Sequence, residues 1–204
     1  MGQRVEHNLM RALLVVALVG VSACAALIRY DVRTTPVSRS IVRVTEETKG
    51  SPDGVCTGMV LAQNRVLTAA HCVGEAMQAD GQPAIILKVD EFYDLVWLDV
   101  LTIRPILVLS DDPVHESDEV QAYGYAWGWD RLTMLTCRVV HVDFSPNPKM
   151  PVGVFTQGGY ISGMSGGPVV NSRSELIGII QQTNDGIGYG VGVQLIRAFL
   201  LGTK

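Results

Sequence analysis

A short turn rich in small residues, Gly163-Met164-Ser165-Gly166-Gly167-Pro168, carries the side chain best suited to covalent chemistry in this chain. A serine hydroxyl acts as a nucleophile when a neighbouring base accepts its proton. The flanking glycines let the backbone take positive φ angles and bring N–H groups close to a substrate carbonyl, as acyl transfer requires. The same string also forms ordinary tight β-turns, so a base and an orienting acid must be sought elsewhere.

The candidate base is His71, which follows the apolar string Val66-Leu67-Thr68. A turn at Ala62-Gln63-Asn64-Arg65 joins that string to the apolar residues 55–61. We therefore expect a β-hairpin that delivers the imidazole at the end of its second strand. A histidine at a strand end is by itself more often a surface or core residue than a catalyst. The hairpin alone leaves both interpretations open.

Two strings resemble one family of known proteins. Cys56-Thr57-Gly58 through Leu67-Thr68-Ala69-Ala70-His71-Cys72 resembles the histidine loop of the chymotrypsin-like serine proteases, and the turn around Ser165 resembles their serine loop. The resemblance covers about residues 40–201. Residues 168–191, with Asp94-Leu95 and Tyr123-Gly124-Tyr125, are most similar to the HtrA-type bacterial branch of that family.

The resemblance implies a serine endopeptidase that hydrolyses proteins or peptides through an acyl-enzyme intermediate. Ser165 is then the nucleophile, His71 the general base and acid, and the backbone N–H groups of Gly163 and Ser165 the oxyanion hole. A disulfide bond between Cys56 and Cys72 is implied as well. We predict no cofactor and no metal site, because His115 and His141 lack metal-ligand spacing with cysteines or acids.

The family pattern places the triad acid directly before an apolar strand, and Asp94 in Glu91-Phe92-Tyr93-Asp94-Leu95-Val96-Trp97-Leu98 matches it. Asp90 and Asp99 are rivals. Asp90 precedes a more polar pair, however, and Asp99 would lie at the far end of the strand. Alone, Asp94 would be an ordinary surface residue at a strand start. In the company of His71 and Ser165 it is predicted to orient the imidazole.

The residues near Ser165 depart from the digestive members of the family. Those enzymes carry an aspartate directly before the serine, which pairs with a newly cleaved N-terminus, whereas Met164 cannot form that ion pair. We therefore expect no activation of that kind. The position at which trypsin-like pockets hold a charge falls on Gly159, next to Tyr160. This predicts a preference for uncharged substrate side chains that are small or apolar.

The N-terminus indicates export. Arg4 and Arg11 precede the apolar residues 12–22, the pattern of a signal peptide. The string Val21-Ser22-Ala23-Cys24 resembles the lipobox of bacterial lipoproteins, in which the signal is cut before the cysteine and the cysteine is acylated. We predict a signal at residues 1–23, palmitate or a similar acyl chain on Cys24, and a membrane tether that faces the periplasm or the cell exterior.

Two other interpretations of this N-terminus stay open. The uncharged residues 12–28 form a stretch near the lower edge of the roughly 17–25 residues that span a bilayer, so an uncleaved transmembrane anchor is one alternative. Simple secretion is the other. All three interpretations export the domain that follows.

Composition predicts an all-β fold. The 204 residues are 48% hydrophobic and 18% charged, and 21 glycines and 9 prolines separate short β-branched runs. With the family resemblance, this becomes two antiparallel Greek-key β-barrels and a short C-terminal helix, after an N-terminal apolar helix. We assign residues 24–39 to a tether, 40–110 to a first barrel with His71 and Asp94, and 111–204 to a second barrel with Ser165.

Several smaller predictions complete the sequence analysis. A formal net charge of −4 without basic runs gives no footprint for nucleic acid. Ile106-Leu107-Val108-Leu109 is predicted to be a strand, Cys137 a free buried thiol, and Trp127-Gly128-Trp129 a packing loop. The alternative to an enzyme is a surface-anchored binding module of the same fold that is catalytically inert.

Overall fold

The computed structural model describes residues 27–30, 32, 34–46, 54–142, 146–147, 150–151 and 154–202. The predicted signal and Cys24 lie outside these ranges. Within them, no helix is both long and apolar enough to cross a membrane. The elements are β1 (Leu27–Tyr30), β2 (Ile41–Glu46), β3 (Val55–Ala62), β4 (Arg65–Ala69), β5 (Met77–Ala79), β6 (Gln82–Asp90), β7 (Leu95–Val100), β8 (Glu119–Gly124), β9 (Thr133–Val142), β10 (Pro146–Asn147), β11 (Met150–Pro151), β12 (Val154–Gln157), β13 (Pro168–Val170), β14 (Leu176–Asn184), β15 (Ile187–Gly192) and the helix α1 (Val193–Leu201).

Strands β2 to β7 form a closed antiparallel barrel in the order β2-β3-β4-β7-β6-β5. The barrel closes because β5 pairs with β2 as well as with β6. Branched aliphatic side chains fill the interior, as the taper of a small barrel favours. The buried members of this cluster include Val42, Val44, Val60, Val66, Val96 and Leu98.

The second sheet also closes, because β9 pairs with β8 as well as with β12. Its ring follows the order β8-β9-β12-β15-β14-β13. Both barrels thus have three successive strands followed by three in reverse order. The all-β fold of two antiparallel barrels is confirmed, and so is the closing helix α1, which ends at Gly202 with a left-handed φ of 76°.

Two segments differ from the sequence-based expectations. Within residues 24–39, β1 pairs with β9 of the second barrel, so part of the segment treated as a tether is a strand. The prediction of a strand at residues 106–109 is wrong. This segment connects the barrels and bonds to both: the N–H of Leu107 donates to Val60 O at 2.8 Å, and the N–H of Leu176 donates to Val108 O at 2.7 Å.

Candidate active site

His71 lies in the short 3₁₀ turn Ala70–Cys72, directly after β4. β4 is paired on both edges, with β3 and with β7, so the backbone that leads to the imidazole is fixed. A disulfide bond joins Cys56 of β3 to Cys72, 16 positions apart in sequence. A cross-link that closes a loop of this length contributes about 3 kcal/mol in the chain-entropy model. The imidazole side chain remains 47% exposed at the barrel edge.

Asp94 ends the turn between β6 and β7 and bonds to His71 through both carboxylate oxygens. Its Oδ2 lies 2.7 Å from Nδ1 of the imidazole, and its Oδ1 accepts the main-chain N–H of His71 at 2.7 Å. The carbonyl of Asp94 also accepts the N–H of Ala70 at 3.0 Å. The carboxylate favours the tautomer with its proton on Nδ1, which leaves the Nε2 lone pair for another proton.

The same contact sets the basicity of His71. The hydrogen bond with Asp94 raises the pKa of His71, the charge of Asp94 acts in the same direction, and partial burial opposes both. The protonated imidazole is thus the form that this environment stabilises. A histidine of this kind is suited to accept a proton from a neighbouring hydroxyl.

The two rival acids are engaged elsewhere. Oδ1 of Asp90 accepts the N–H of Tyr93 at 3.0 Å, inside the turn that leads to Asp94. Asp99 forms an ion pair with Arg65 at 2.6 Å across the β4–β7 ladder. Of the three acids considered in the sequence, the structure brings Asp94 against His71.

Ser165 lies in the turn before β13, and its backbone is bonded to the histidine hairpin. The N–H of Thr57 in β3 donates to Ser165 O at 2.8 Å, and Cys72 Sγ lies 3.9 Å from the same oxygen. Gly166 makes this approach possible. Its φ is 81°, and a Cβ at that position would lie 2.2 Å from Thr57 O. The serine loop of the second barrel is therefore docked directly on the first.

The hydroxyl of Ser165 donates to Gln181 O at 3.0 Å. In this orientation the proton is directed toward β14 and not toward His71. Hydrogen bonds between catalytic groups are often poorly aligned in a free enzyme and form only when substrate is bound.

Gly163 and Ser165 present two adjacent backbone donors. Among the described residues, neither N–H donates to a backbone carbonyl. Gly163 has a φ of 91°, and a Cβ there would lie 2.2 Å from Tyr125 O. Ser162 O, in the same peptide group as the Gly163 N–H, accepts the N–H of Trp127 at 2.6 Å, and Met164 O, in the same peptide group as the Ser165 N–H, accepts the N–H of Gly167 at 2.9 Å. Both peptide groups therefore have a fixed orientation.

Two further residues hold this site together, and the sequence motifs predict no role for either. Thr57 is fully buried, and its hydroxyl accepts the N–H of Tyr125 at 3.0 Å while donating to Gly163 O. Gln181 donates from Nε2 to Tyr93 O at 2.7 Å, which joins β14 to the turn that carries Asp94. The available signals were a threonine next to Cys56 and a glutamine that ends the apolar residues 176–180.

Met164, the residue before the nucleophile, is completely buried. It belongs to an apolar cluster of the second barrel together with Val120, Val169 and Ile177. Gly124 lies so close that a Cβ there would be 2.6 Å from Met164 Cα. Packing therefore fixes the start of the serine turn at the position where an ion pair would form in the digestive enzymes.

The surface around Gly159 is closed by a threonine. Thr183 donates its hydroxyl to Tyr160 O at 2.9 Å and accepts the N–H of Tyr160. Its methyl group occupies the space next to Gly159, where a Cβ would lie 2.7 Å from it. The ring of Tyr160 points into the barrel interior, and burial raises the pKa of its phenol. None of Gly159, Tyr160 and Thr183 carries a side-chain carboxylate.

Sulfur and nitrogen atoms also cluster beside the site. Ligand atoms of Cys56, His71 and Cys72 lie within 4.8 Å of one another. The two sulfurs are bonded to each other, so neither is the thiolate that a metal ion would require. Cys137 is free and buried, as the sequence predicted, and burial raises the pKa of its thiol to about 11. Burial therefore disfavours the thiolate form that metal binding and nucleophilic attack require.

Two barrels of matching topology, with an acid, an imidazole and a serine loop gathered at their junction, define the chymotrypsin-like class of serine peptidases. The family model described as "Trypsin-like peptidase domain" matches residues 56–179. The chain belongs to this family and is a serine endopeptidase, whose substrates are proteins or peptides. A search of curated proteins finds no match.

Solved structures share the fold at low sequence identity. The active form of the Rv3671c protease from M. tuberculosis is 20% identical, with a TM-score of 0.71 over 84% of this chain and 83% of that chain. The inactive form gives a TM-score of 0.69 over 80% and 88%. A serine endoprotease from Yersinia pestis is also 20% identical, with a TM-score of 0.69 over 82% of this chain and 64% of that chain.

Proposed function

We propose that Ser165, His71 and Asp94 form the catalytic triad of this peptidase and that the N–H groups of Gly163 and Ser165 form its oxyanion hole. The observation that carries the proposal is the two-point contact of Asp94 with His71. A carboxylate that stabilises the turn needs only the hydrogen bond to the main-chain N–H, whereas the second hydrogen bond also fixes the orientation of the imidazole ring. The docking of the serine loop on Thr57 brings the third group to the same edge.

The chemistry follows from these positions. When a peptide binds, the Ser165 hydroxyl turns from Gln181 O to Nε2 of His71, which accepts its proton while Oγ attacks the scissile carbonyl. The oxyanion that forms accepts hydrogen bonds from Gly163 and Ser165, each worth roughly 3 to 4 kcal/mol by removal experiments in related sites. His71 then donates the proton to the leaving amine. Water, activated by the same base, hydrolyses the acyl-enzyme.

A fluorophosphonate probe tests the proposal, because an activated serine displaces its fluoride and the phosphonate adduct mimics the tetrahedral intermediate. We expect stoichiometric labelling of the native protein, with the adduct on the peptide that contains Ser165 by mass spectrometry. Ser165→Ala should not be labelled, whereas Ser172→Ala, a change at an exposed serine, should label like the parent. A folded protein that ignores the probe would instead favour the inert binding module.

We further propose that the enzyme prefers small or apolar uncharged residues on the acyl side of the cleaved bond. Thr183 fills the space next to Gly159, and neither residue offers a charge to lysine or arginine. A peptide library that varies this one position should show faster cleavage after Ala, Val or Leu than after Lys or Arg. Rapid cleavage confined to Lys and Arg would contradict the assignment.

For the N-terminus we propose export and a lipid anchor on Cys24. The pairing of β1, which begins at Leu27, with β9 supports a lipid anchor over a membrane-spanning helix that reaches Ile28. The apolar stretch that remains is shorter than the roughly 17 residues that a span needs. An acyl chain on Cys24 would hold the second barrel within about 10 Å of the membrane, because β1 begins three residues later.

Mass spectrometry of the protein from its membrane fraction tests this anchor. We expect an N-terminal peptide that begins at an acylated Cys24, and release of the protein into the soluble fraction for Cys24→Ala. An unmodified Met1 in the membrane fraction would indicate an uncleaved anchor. An unmodified cysteine in the medium would indicate simple secretion.

A further inference from the structure

Two indole rings are exposed together beside the serine loop. Trp127 and Trp129 leave 50% and 49% of their surfaces exposed, and their ring centroids lie 4.9 Å apart at an interplanar angle of 43°. The sequence interpretation of this turn as a packing loop is therefore incomplete. Large aromatic residues that remain exposed in a folded domain are a common mark of a binding surface.

The turn that carries the rings is held in an unusual conformation. Trp127 has a φ of 54°, a left-handed conformation that is rare for a bulky residue and tends to occur at functional sites. Its N–H donates to Ser162 O at 2.6 Å, and Arg43 of β2 donates from Nη2 to Gly128 O at 3.2 Å. The turn is thus fixed to both barrels, and the indoles have a defined position.

The serine loop is bonded both to β14 and to β3. The acyl side faces β14, where Ser165 Oγ bonds to Gln181 and Thr183 covers Gly159. The leaving amine must be close to His71, which protonates it, and His71 directly precedes Cys72, whose disulfide partner Cys56 lies on β3.

The tryptophan turn also contacts β3. The N–H of Tyr125 donates to Thr57 Oγ1 at 3.0 Å. Gly128 faces Val55, and a Cβ on that glycine would lie 3.3 Å from the Val55 side chain. The tryptophan turn therefore adjoins β3, the strand whose Cys56 is bonded to Cys72 beside His71.

We propose that Trp127 and Trp129 form a subsite for an aromatic or large aliphatic side chain within the first three residues after the scissile bond. This inference rests on the proposed function. An extended substrate advances about 3.3 Å per residue, so three residues after the scissile bond extend about 10 Å beyond it. Two tilted rings offer a face and an edge to such a side chain, the geometry that aromatic contacts prefer.

Internally quenched peptides with one acyl-side sequence provide the test. The three positions after the scissile bond are varied in turn among Gly, Glu, Leu, Phe and Trp. At one of them the parent enzyme should cleave Phe or Trp peptides with a kcat/KM about 10- to 100-fold above that of the Gly peptide. The double variant Trp127→Ala/Trp129→Ala should reduce this ratio to about one, and Trp127→Phe/Trp129→Phe should largely keep it.

Two controls separate substrate binding from a structural role. An acyl p-nitroanilide has no residues after the scissile bond, so the double alanine variant should hydrolyse it within about twofold of the parent rate. Ile85→Ala removes an apolar side chain that is 66% exposed on β6, and it should leave the peptide preference unchanged. A proportional loss on the anilide would show that the tryptophans only support the serine loop, which would overturn the proposal.

Other outcomes bear on the two proposals separately. Active enzyme without a preference at any of the three positions, or a preference that survives the double alanine variant, overturns the subsite. If the parent cleaves nothing and resists the fluorophosphonate probe, the proposed function fails. Binding of the Phe peptide to Ser165→Ala, measured by fluorescence anisotropy and lost in the Trp127→Ala/Trp129→Ala background, would still support the subsite. No binding would reject it.

Discussion

We expect Ser165→Ala and His71→Ala each to lower kcat by on the order of 10⁶-fold, and the double variant to lower it little further. The magnitude is that of another serine protease triad, in which the nucleophile and its base act as one unit. Here the unit is predicted because the hydroxyl is inert without a base and the imidazole has no other task at the site. The activity that remains would come from the oxyanion hole and substrate binding.

Steady-state hydrolysis of one quenched peptide by the four proteins measures this coupling. Ser172→Ala and His115→Ala are matched controls, since both residues are exposed, and each should keep the parent kcat within about twofold. Circular dichroism and melting temperature confirm that the folds are comparable. If the losses of the two single variants instead multiplied in the double variant, His71 and Ser165 would act independently and the proposed triad would be wrong.

The parts of this site that the sequence predicts are those carried by local strings. The apolar string Val66-Leu67-Thr68 predicts a strand that ends just before His71. Its pairing with β3 and β7 fixes that end, and therefore the histidine, at the barrel edge. The glycines around Ser165 predict a tight turn in the sequence. Only glycine tolerates a φ of 91° at position 163, and a Cβ at position 166 would clash with Thr57 O. A backbone conformation that only glycine adopts can therefore be predicted from the glycine itself.

The rest depends on contacts between residues far apart in sequence. The bond from Gln181 to Tyr93 joins residues that no periodicity relates, and the serine loop docks on Thr57 only once both barrels exist. The apolar residues 106–109 have the pattern of a strand, yet their backbone groups bond to two different barrels. The exposure of Trp127 could not be predicted from the sequence either, because the hydrophobicity of tryptophan favours burial and does not indicate that its turn faces solvent.

Asp94→Asn should lower kcat by about 10⁴-fold, the loss that the same change causes in the trypsin triad. The asparagine amide can donate a hydrogen bond to Nδ1 of His71 and so favours the imidazole tautomer protonated on Nε2. In that tautomer Nε2 cannot accept the proton of Ser165. The fold should persist, because the amide oxygen can still accept the main-chain N–H of His71. Asp90→Asn and Asp99→Asn are matched controls, since these acids bond to Tyr93 and Arg65, and each should cost no more than a few fold.

The pH profile gives this prediction a second measurement. The neutral imidazole is the active base, so kcat/KM of the parent should rise with pH through the pKa of His71, which Asp94 raises above its usual 6.5. In Asp94→Asn the main cause of that rise is gone, so the acid limb of the profile should move to lower pH while the plateau falls. A merely destabilised enzyme would lose activity without this shift. If Asp99→Asn lost activity while Asp94→Asn kept it, Asp99 would be the acid that orients His71, and the assignment of Asp94 would be wrong.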